Sequence, residues 1–499
     1  MQPRLPESIL AELSNLLSSR IGMYFPSNRW RDLERGIMAA ARELGFKNTR
    51  DFISGLLTSS LARPQLEVLA SHLTVGETYF FREPKSFDAV EQNVLKKLID
   101  GRRRKEQRIR IWSAGCASGE EPYSLAILLH RLLPDIRDWN ISILATDINP
   151  RLLQKAEQGA YSEWSFRGVS KQIKDTYFKL TLHGRYQIRP DIKQLVSFSY
   201  LNLVDDGYPA LTNGTNAMDM IFCRNVMMYF QSTQAGRIVD KFHRCLVDGG
   251  WLVVSSVEAS HTLFRSFVHA KYQDVVLYGK ADPEQRQQPV MHDWSVDIEP
   301  VVSVADVSSS YLDTTTQPSL KMDDIKTDSI DAEVSDYEKA LELFHFGCYI
   351  EAETKTTAHL SVTPDDGRAL MLMTRILANQ GRLTEASAWC KRAIVNDKLN
   401  PGMHYLLGTI LLECNQLNDA VISLRRALYL NPNLVLAHFT LGNISRAQGK
   451  TAEACKYFDN ARLLLRKHQP EYVLPESEGM TGYRLLEIIE AIDFGKEAA

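Results

Sequence analysis

Three alanines spaced 34 residues apart, Ala386, Ala420 and Ala454, constrain the last third of this 499-residue chain more tightly than any other feature. Ala393, Ala427 and Ala461 keep the same period, as do the turn-forming Gly347, Gly381, Asn415 and Gly449 and the pairs Leu407-Gly408 and Leu441-Gly442. Small residues where two helices must touch, with a turn residue at a fixed offset, predict stacked helix-turn-helix units. One such unit cannot bury its apolar face alone, so neighbours must stack into a solenoid. Three or four repeats are expected over residues 334–468, the first least regular. Residues 469–499 are expected to hold a capping helix, Gly482 to Ile492, and a tail.

The remainder divides into three stretches. Residues 1–95 read as a small helical domain: Pro6 opens a stretch with Ile9, Leu10, Leu13, Leu16 and Leu17 on one face, and a second stretch with Leu33, Ile37 and Leu44 closes at Gly45. Residues 96–280 alternate short β-rich runs (108–113, 141–146, 218–222, 251–255, 275–278) with helical segments, the signature of a mostly parallel, Rossmann-like sheet. Residues 281–333 lose periodicity and carry 12 acids against 3 bases, which predicts a flexible acidic linker. The fold class is therefore α/β with a helical domain in front and an all-α solenoid behind.

Composition narrows function. A net charge of −3 and a pI near 6.5 argue against binding a polyanion such as nucleic acid by bulk charge. No run of 18 apolar residues is present, so no membrane insertion is expected. Seven scattered cysteines fit reduced thiols, and with no visible export signal a cytoplasmic location is expected. There is no Cys-x-x-Cys pair or His-Glu-x-x-His, so no metal site is expected.

Four segments carry candidate chemistry. Ile111 to Tyr123 (IWSAGCASGEEPY) runs from a strand through a glycine turn into a helix, without the Gly-Lys-Ser/Thr of a phosphate loop and with Glu120 and Glu121 where a phosphate would tolerate no carboxylate. A cofactor bearing positive charge and no phosphate suits it, as S-adenosylmethionine does. Asp147 ends the next strand, where a carboxylate either accepts two ribose hydroxyls or caps the following helix. Leu73 to Glu83 interleaves aromatic residues with Thr78 and Arg82, and reads either as a cofactor floor or as a core segment. Asp219 to Phe230 places Asn225 at a strand's carboxyl edge and Tyr229 beside it, without the paired prolines of many base methylases. The basic run Arg102 to Lys105, with Arg108 and Arg110, reads as a solvated loop, and Cys116 as a packed small residue.

These segments, in this order, resemble the signature segments of the chemotaxis receptor methyltransferase (CheR-type) family: Thr78 to Glu83 (TYFFRE), Ser113 to Tyr123 with GEEPYS, Ala145 to Asp147, Asn202-Leu203, and Cys223 to Phe230 (CRNVMMYF). The likeness covers about residues 10–280. It implies a protein-glutamate O-methyltransferase that uses S-adenosylmethionine on the cytoplasmic domains of chemoreceptors. It assigns Thr78, Arg82, Glu121, Asp147, Asn202, Leu203, Asn225 and Val226 to the cofactor, and Arg82 and Tyr229 to the substrate carboxylate as the catalytic residues. It also implies a small β-rich insertion within 166–197 and marks one departure, Gly76 where the family often has Asn. The 34-residue period is that of tetratricopeptide repeats. Their groove is expected to hold a signalling protein or peptide, either to recruit it or to fold back over the active site. The competing readings are an inactive cofactor-binding interaction protein acting through its repeats, and a methylase of small molecules.

Overall fold

The computed structural model describes residues 5–58, 63–103, 106–281 and 335–467, and positions 469, 472, 474–476 and 481–490 beyond them. All but the first residue of the expected acidic linker lies outside the described residues. The first unit packs α1 (Glu7–Ile21), α2 (Trp30–Glu43), α3 (Thr49–Thr58) and α4 (Arg63–Leu73) around Leu13, Leu17, Leu33 and Ile37, all fully buried. α1 stops at Gly22, whose left-handed backbone returns its N–H to the Ser18 carbonyl.

Next come α5 (Pro84–Val90) and α6 (Lys96–Arg102), then β1 (Arg108–Ala114), α7 (Glu120–Leu132), β2 (Asn140–Asp147), α8 (Pro150–Gln158), β3 (Ala160–Tyr161), α9 (Lys171–Tyr177), β4 (Phe178–Leu180), β5 (Tyr186–Ile188), α10 (Pro190–Lys193), β6 (Val196–Tyr200), β7 (Met218–Phe222), α11 (Ser232–Cys245), β8 (Leu246–Val253), β9 (Val268–Tyr272) and β10 (Val275–Gly279). The main sheet has the order β6-β2-β1-β7-β8-β10-β9 and is parallel except for β10, which pairs antiparallel with both β8 and β9. β1 lies between β2 and β7, so crossovers leave it in opposite directions and open a crevice at its carboxyl end. A second, three-stranded antiparallel sheet, β3-β5-β4, has β4 and β5 inside the expected 166–197 insertion and β3 just ahead of it.

The last unit stacks four helix pairs: α12 (Asp336–His345) with α13 (Tyr349–Val362), α14 (Gly367–Asn379) with α15 (Leu383–Asn396), α16 (Pro401–Glu413) with α17 (Leu417–Leu430), and α18 (Val435–Ala447) with α19 (Thr451–Leu465), followed by α20 (Gly482–Glu490). The repeated residues have physical reasons. Gly347, Gly381, Asn415 and Gly449 all have φ between 60° and 77°, the left-handed turn inside each pair. A Cβ on Gly408 would come within 2.7 Å of Leu424, and one on Gly442 within 2.8 Å of Phe458, so glycine there lets paired helices close up.

The turns of the repeats sit on the amino edge of the main sheet. Lys280 donates to the carbonyls of Leu246 and Gly347 at 3.0 and 3.1 Å, the Tyr349 hydroxyl donates to the Arg244 carbonyl at 2.9 Å, and Arg110 pairs with Glu413. The solenoid thus docks at the end of β1 opposite its carboxyl edge. This corrects the reading of Arg102, Arg108 and Arg110 as part of a solvated loop; Arg103 keeps 43% of its side chain exposed, and residues 104–105 lie outside the described residues. Arg108 and Arg110 are 4% and 5% exposed, the former beneath Gly381, and Arg102 chelates Asp219 through two bonds of 2.5 and 2.8 Å. Arg108 and Arg110 are buried because the repeats cover the edge from which they project. No helix among the described residues is long and apolar enough to cross a membrane.

Candidate active site

The pocket lies at the carboxyl ends of β1, β2 and β7, and all nine residues that the sequence singled out line it. Its floor is the turn after β1. Gly115 and Cys116 both donate to the Thr146 carbonyl, at 2.8 and 2.9 Å, which ties this turn to the end of β2. Gly115 has φ 80°, and a Cβ there would meet Val226 Cγ2 at 2.4 Å. The backbone is therefore the surface a ligand would meet.

Asp147 closes the same corner. One carboxylate oxygen accepts from Ala117 N–H and the other from Asn149 N–H, each at 2.8 Å. The cap of α8 is Asn149, which accepts from Arg151 and Leu152, so the helix-capping reading of Asp147 belongs to its neighbour. Burial pushes the Asp147 carboxyl above its ordinary range, against the pull of its backbone N–H partners. Of the two acids at the start of α7, only Glu121 faces the pocket. It accepts from Ser113 Oγ at 2.8 Å and from Arg224 at 3.3 Å; burial raises its pKa and Arg224 partly offsets the rise. Glu120 turns away, held by Ser118 and Ser165.

The aromatic segment before α5 serves both alternatives read from it. Phe80 is 1% exposed and packs on Tyr161, Phe166 and Phe178 with ring centroids 4.8 to 5.1 Å apart, while Thr78, Tyr79 and Arg82 line the pocket. Phe81 and Glu83, on either side of Arg82, have φ of 55° and 56°, a strained backbone that turns Arg82 inward beside an anchored ring. Arg82 donates to the Glu77 carbonyl at 2.9 Å. Gly76 now has a local reason: a Cβ there would come 2.9 Å from Leu152, which fills the space a longer residue would need.

Asn202 and Leu203 complete another wall. The Asn202 amide donates to the Arg20 carbonyl at 2.9 Å and to Asp205 at 3.0 Å, which joins the end of α1 to the sheet unit, and Leu203 is 6% exposed. Ile21 and Met23 therefore also border the pocket. Asn225 has φ 59° and donates its N–H to Glu258 at 2.7 Å. Tyr229 follows, with Arg29 5.7 Å above its ring. Cys116 is 2% exposed and packs as a small core residue, and burial raises its thiol pKa well above its ordinary value.

Sequence reasoning missed two organising residues. Arg224, with only 2% of its side chain exposed, binds the Arg82 carbonyl at 2.5 Å and pairs with Glu83 and Glu121, so it links three segments of the pocket. Glu258 accepts from Asn225 and Met228 and from the Ser255 hydroxyl. The spacing Ser255-x-x-Glu258 is a capping-box signature that could have drawn attention to the latter. Nothing local marks Arg224.

The donor set fits S-adenosylmethionine. Two buried carboxylates, Glu121 and Asp147, are suited to an ammonium and a ribose diol, the floor is backbone, and the cation closest to Glu121 is already committed to three internal partners. A pocket at the switch point of a parallel sheet is where open α/β folds bind their ligands, and this donor set is that of a methyltransferase using a nucleoside cofactor without phosphate. Comparison with known proteins narrows the class. Residues 76–275 match the family model described as "CheR methyltransferase, SAM binding domain", and residues 401–434 match "Tetratricopeptide repeat". The chain is 33% identical to the chemotaxis protein methyltransferase of Borreliella burgdorferi over 251 residues, which cover 50% of this chain and 87% of that one. It is 32% identical to chemotaxis protein methyltransferase 2 of Vibrio cholerae (50% and 85% covered) and 31% identical to chemotaxis protein methyltransferase 1 of Pseudomonas aeruginosa (50% and 88%). This chain belongs to the chemotaxis protein methyltransferase family and is an S-adenosylmethionine-dependent methyltransferase that carries tetratricopeptide repeats.

Proposed function

We propose that the enzyme methylates glutamate side chains on the cytoplasmic domains of chemoreceptors, and that its repeats bring a signalling partner or the receptor to it in the cytoplasm. The observation that carries this reading is the meeting, in one pocket, of two carboxylates suited to the cofactor with Arg82 and Tyr229 suited to a substrate carboxylate. S-adenosylmethionine, when bound, supplies an electrophilic methyl group on a sulfonium. Glu121 would hold its ammonium and Asp147 its ribose, with Thr78, Asn202, Leu203, Asn225 and Val226 shaping the space between. A substrate glutamate is already ionised at neutral pH, so no general base is needed. Arg82 orients that carboxylate, and Tyr229 borders its path.

Alignment of the carboxylate with the methyl group and exclusion of water then supply the catalysis. Charge is lost as the ester forms, which a pocket walled by Ile21, Met23, Leu203 and Val226 favours. The reading of a cofactor-binding interaction protein gains no support from a pocket that retains the full set. Docking of the repeats at the opposite edge leaves the pocket clear of them, which favours recruitment over closure of the site. The test is incubation with labelled cofactor and a receptor fragment, followed by mass spectrometry. A methyl group on a glutamate side chain supports the reading; a stable methyl on a small molecule or an amine overturns it.

A further inference from the structure

The repeats present a face built from the first helix of each pair, and a piece of this chain already lies on it. Glu476 pairs with Arg375 in the middle of α14 and packs against Gly402 at the start of α16, where a Cβ would come 2.6 Å from its Oε1. Two residues earlier, Leu474 is 2% exposed and belongs to the core cluster that contains Tyr405, Leu436 and Phe439 of α16 and α18. Three consecutive repeats therefore hold one short segment. The fit is incomplete, since a cavity of about 410 Å³ remains between Tyr472, Leu474 and Pro475 on one side and the start of α18 on the other.

Charge follows the same line. α14, α16 and α18 carry Arg368, Arg375 and Arg446 and a single acid, Glu413, which is paired with Arg110 of the sheet. Residues 471–478, EYVLPESE, carry three acids and no base. The face is basic and its occupant acidic.

We propose that this face is the binding site for an extended acidic segment of a partner protein, with a carboxylate received by Arg375 two positions after a buried apolar side chain, and that Tyr472, Leu474, Pro475 and Glu476 hold the site as an internal competitor. The inference rests on the reading of the repeats as a partner-binding module and specifies that partner's chemistry. A tethered segment acts at an effective concentration in the millimolar range. A partner's apparent affinity falls in proportion to the fraction of molecules whose site is open. Recruitment is thus weak until the partner's segment outcompetes the tail.

The test uses the full-length protein and a fluorescent peptide of sequence EYVLPESE, followed by anisotropy. Glu476→Arg breaks the internal pair without removing the core residue Leu474, and Leu474→Ala serves as a second opening variant; thermal melting followed by circular dichroism verifies that both keep the repeats folded. The expected result is weak binding by the wild type, binding about tenfold tighter by either opened variant, and loss of that gain when Arg375→Glu is added to Leu474→Ala. Equal binding by wild type and opened variants overturns internal competition. Unchanged binding after Arg375→Glu overturns the carboxylate assignment. The recruitment reading fails separately, if removal of residues 335–499 leaves methylation of the full-length receptor unchanged while the peptide still binds as described.

Discussion

Asp147→Asn separates what the structure asks of this residue from what the reaction asks. In the folded chain its two oxygens each accept one backbone N–H at 2.8 Å, from Ala117 and from Asn149. Hydrogen bonds to a charged group contribute about 1.5–3 kcal/mol each. Asparagine keeps one acceptor and turns an NH2 toward the other donor, so about 2–3 kcal/mol of stability should be lost. Loss of a carboxylate that accepts from the ribose diol should weaken cofactor binding by a further 10- to 100-fold, as one charged bond is lost or reversed. Urea unfolding followed by tryptophan fluorescence measures the first effect, and calorimetric titration with the demethylated cofactor the second. A variant as stable as the parent and binding equally well would refute both the role of Asp147 in tying the turn and its assignment to the ribose.

Other consequences follow from the same pocket. Arg82→Ala should abolish methyl transfer while cofactor affinity, measured by titration, stays within a fewfold of wild type; a large loss of affinity would remove Arg82 from the substrate side. Burial raises the Glu121 carboxyl, so its ionised form, which receives the cofactor's ammonium, is lost at a higher pH than an ordinary carboxylate near 4.3 would require. Cofactor affinity should therefore fall on mild acidification, less steeply in Glu121→Gln, whereas the same raised pKa makes this group's contribution to folding improve as pH falls. A pH series of titrations beside a pH series of melting curves would show the opposite signs. Gly115→Ala should lower stability by about 1–2 kcal/mol for the left-handed backbone alone and more because Val226 must move, read as a lower melting temperature and weaker binding of the demethylated cofactor.

What the sequence revealed depended on how local the cause was. The repeat was legible because each turn needs a left-handed residue and each helix pair a small one, both fixed by neighbours within one unit. The pocket was legible because strand ends carry their ligands in short runs, such as the glycine turn with Glu121 or β2 with Asp147. The strand β6 escaped because its polar serines alternate with half-buried residues and break no turn signal. The inward turn of Arg82, the hub at Arg224 and the anchoring of Asn225 by Glu258 depend on partners far away in the chain. Most opaque was the basic run: Arg108 and Arg110 look like loop residues until Gly381 and Glu413, some 270 to 300 positions later, cover them. Charges that a distant domain buries cannot be told from solvated ones by composition.

The most direct test of the enzyme's proposed activity is to incubate the full-length chain with methyl-labelled S-adenosylmethionine and receptor-containing membranes, treat with alkali, and count volatile methanol. Methanol release that requires both enzyme and receptor, and that disappears in Arg82→Ala, is the predicted result. Label that resists alkali, or no transfer by a preparation that binds the cofactor fully, would contradict a glutamate O-methyltransferase.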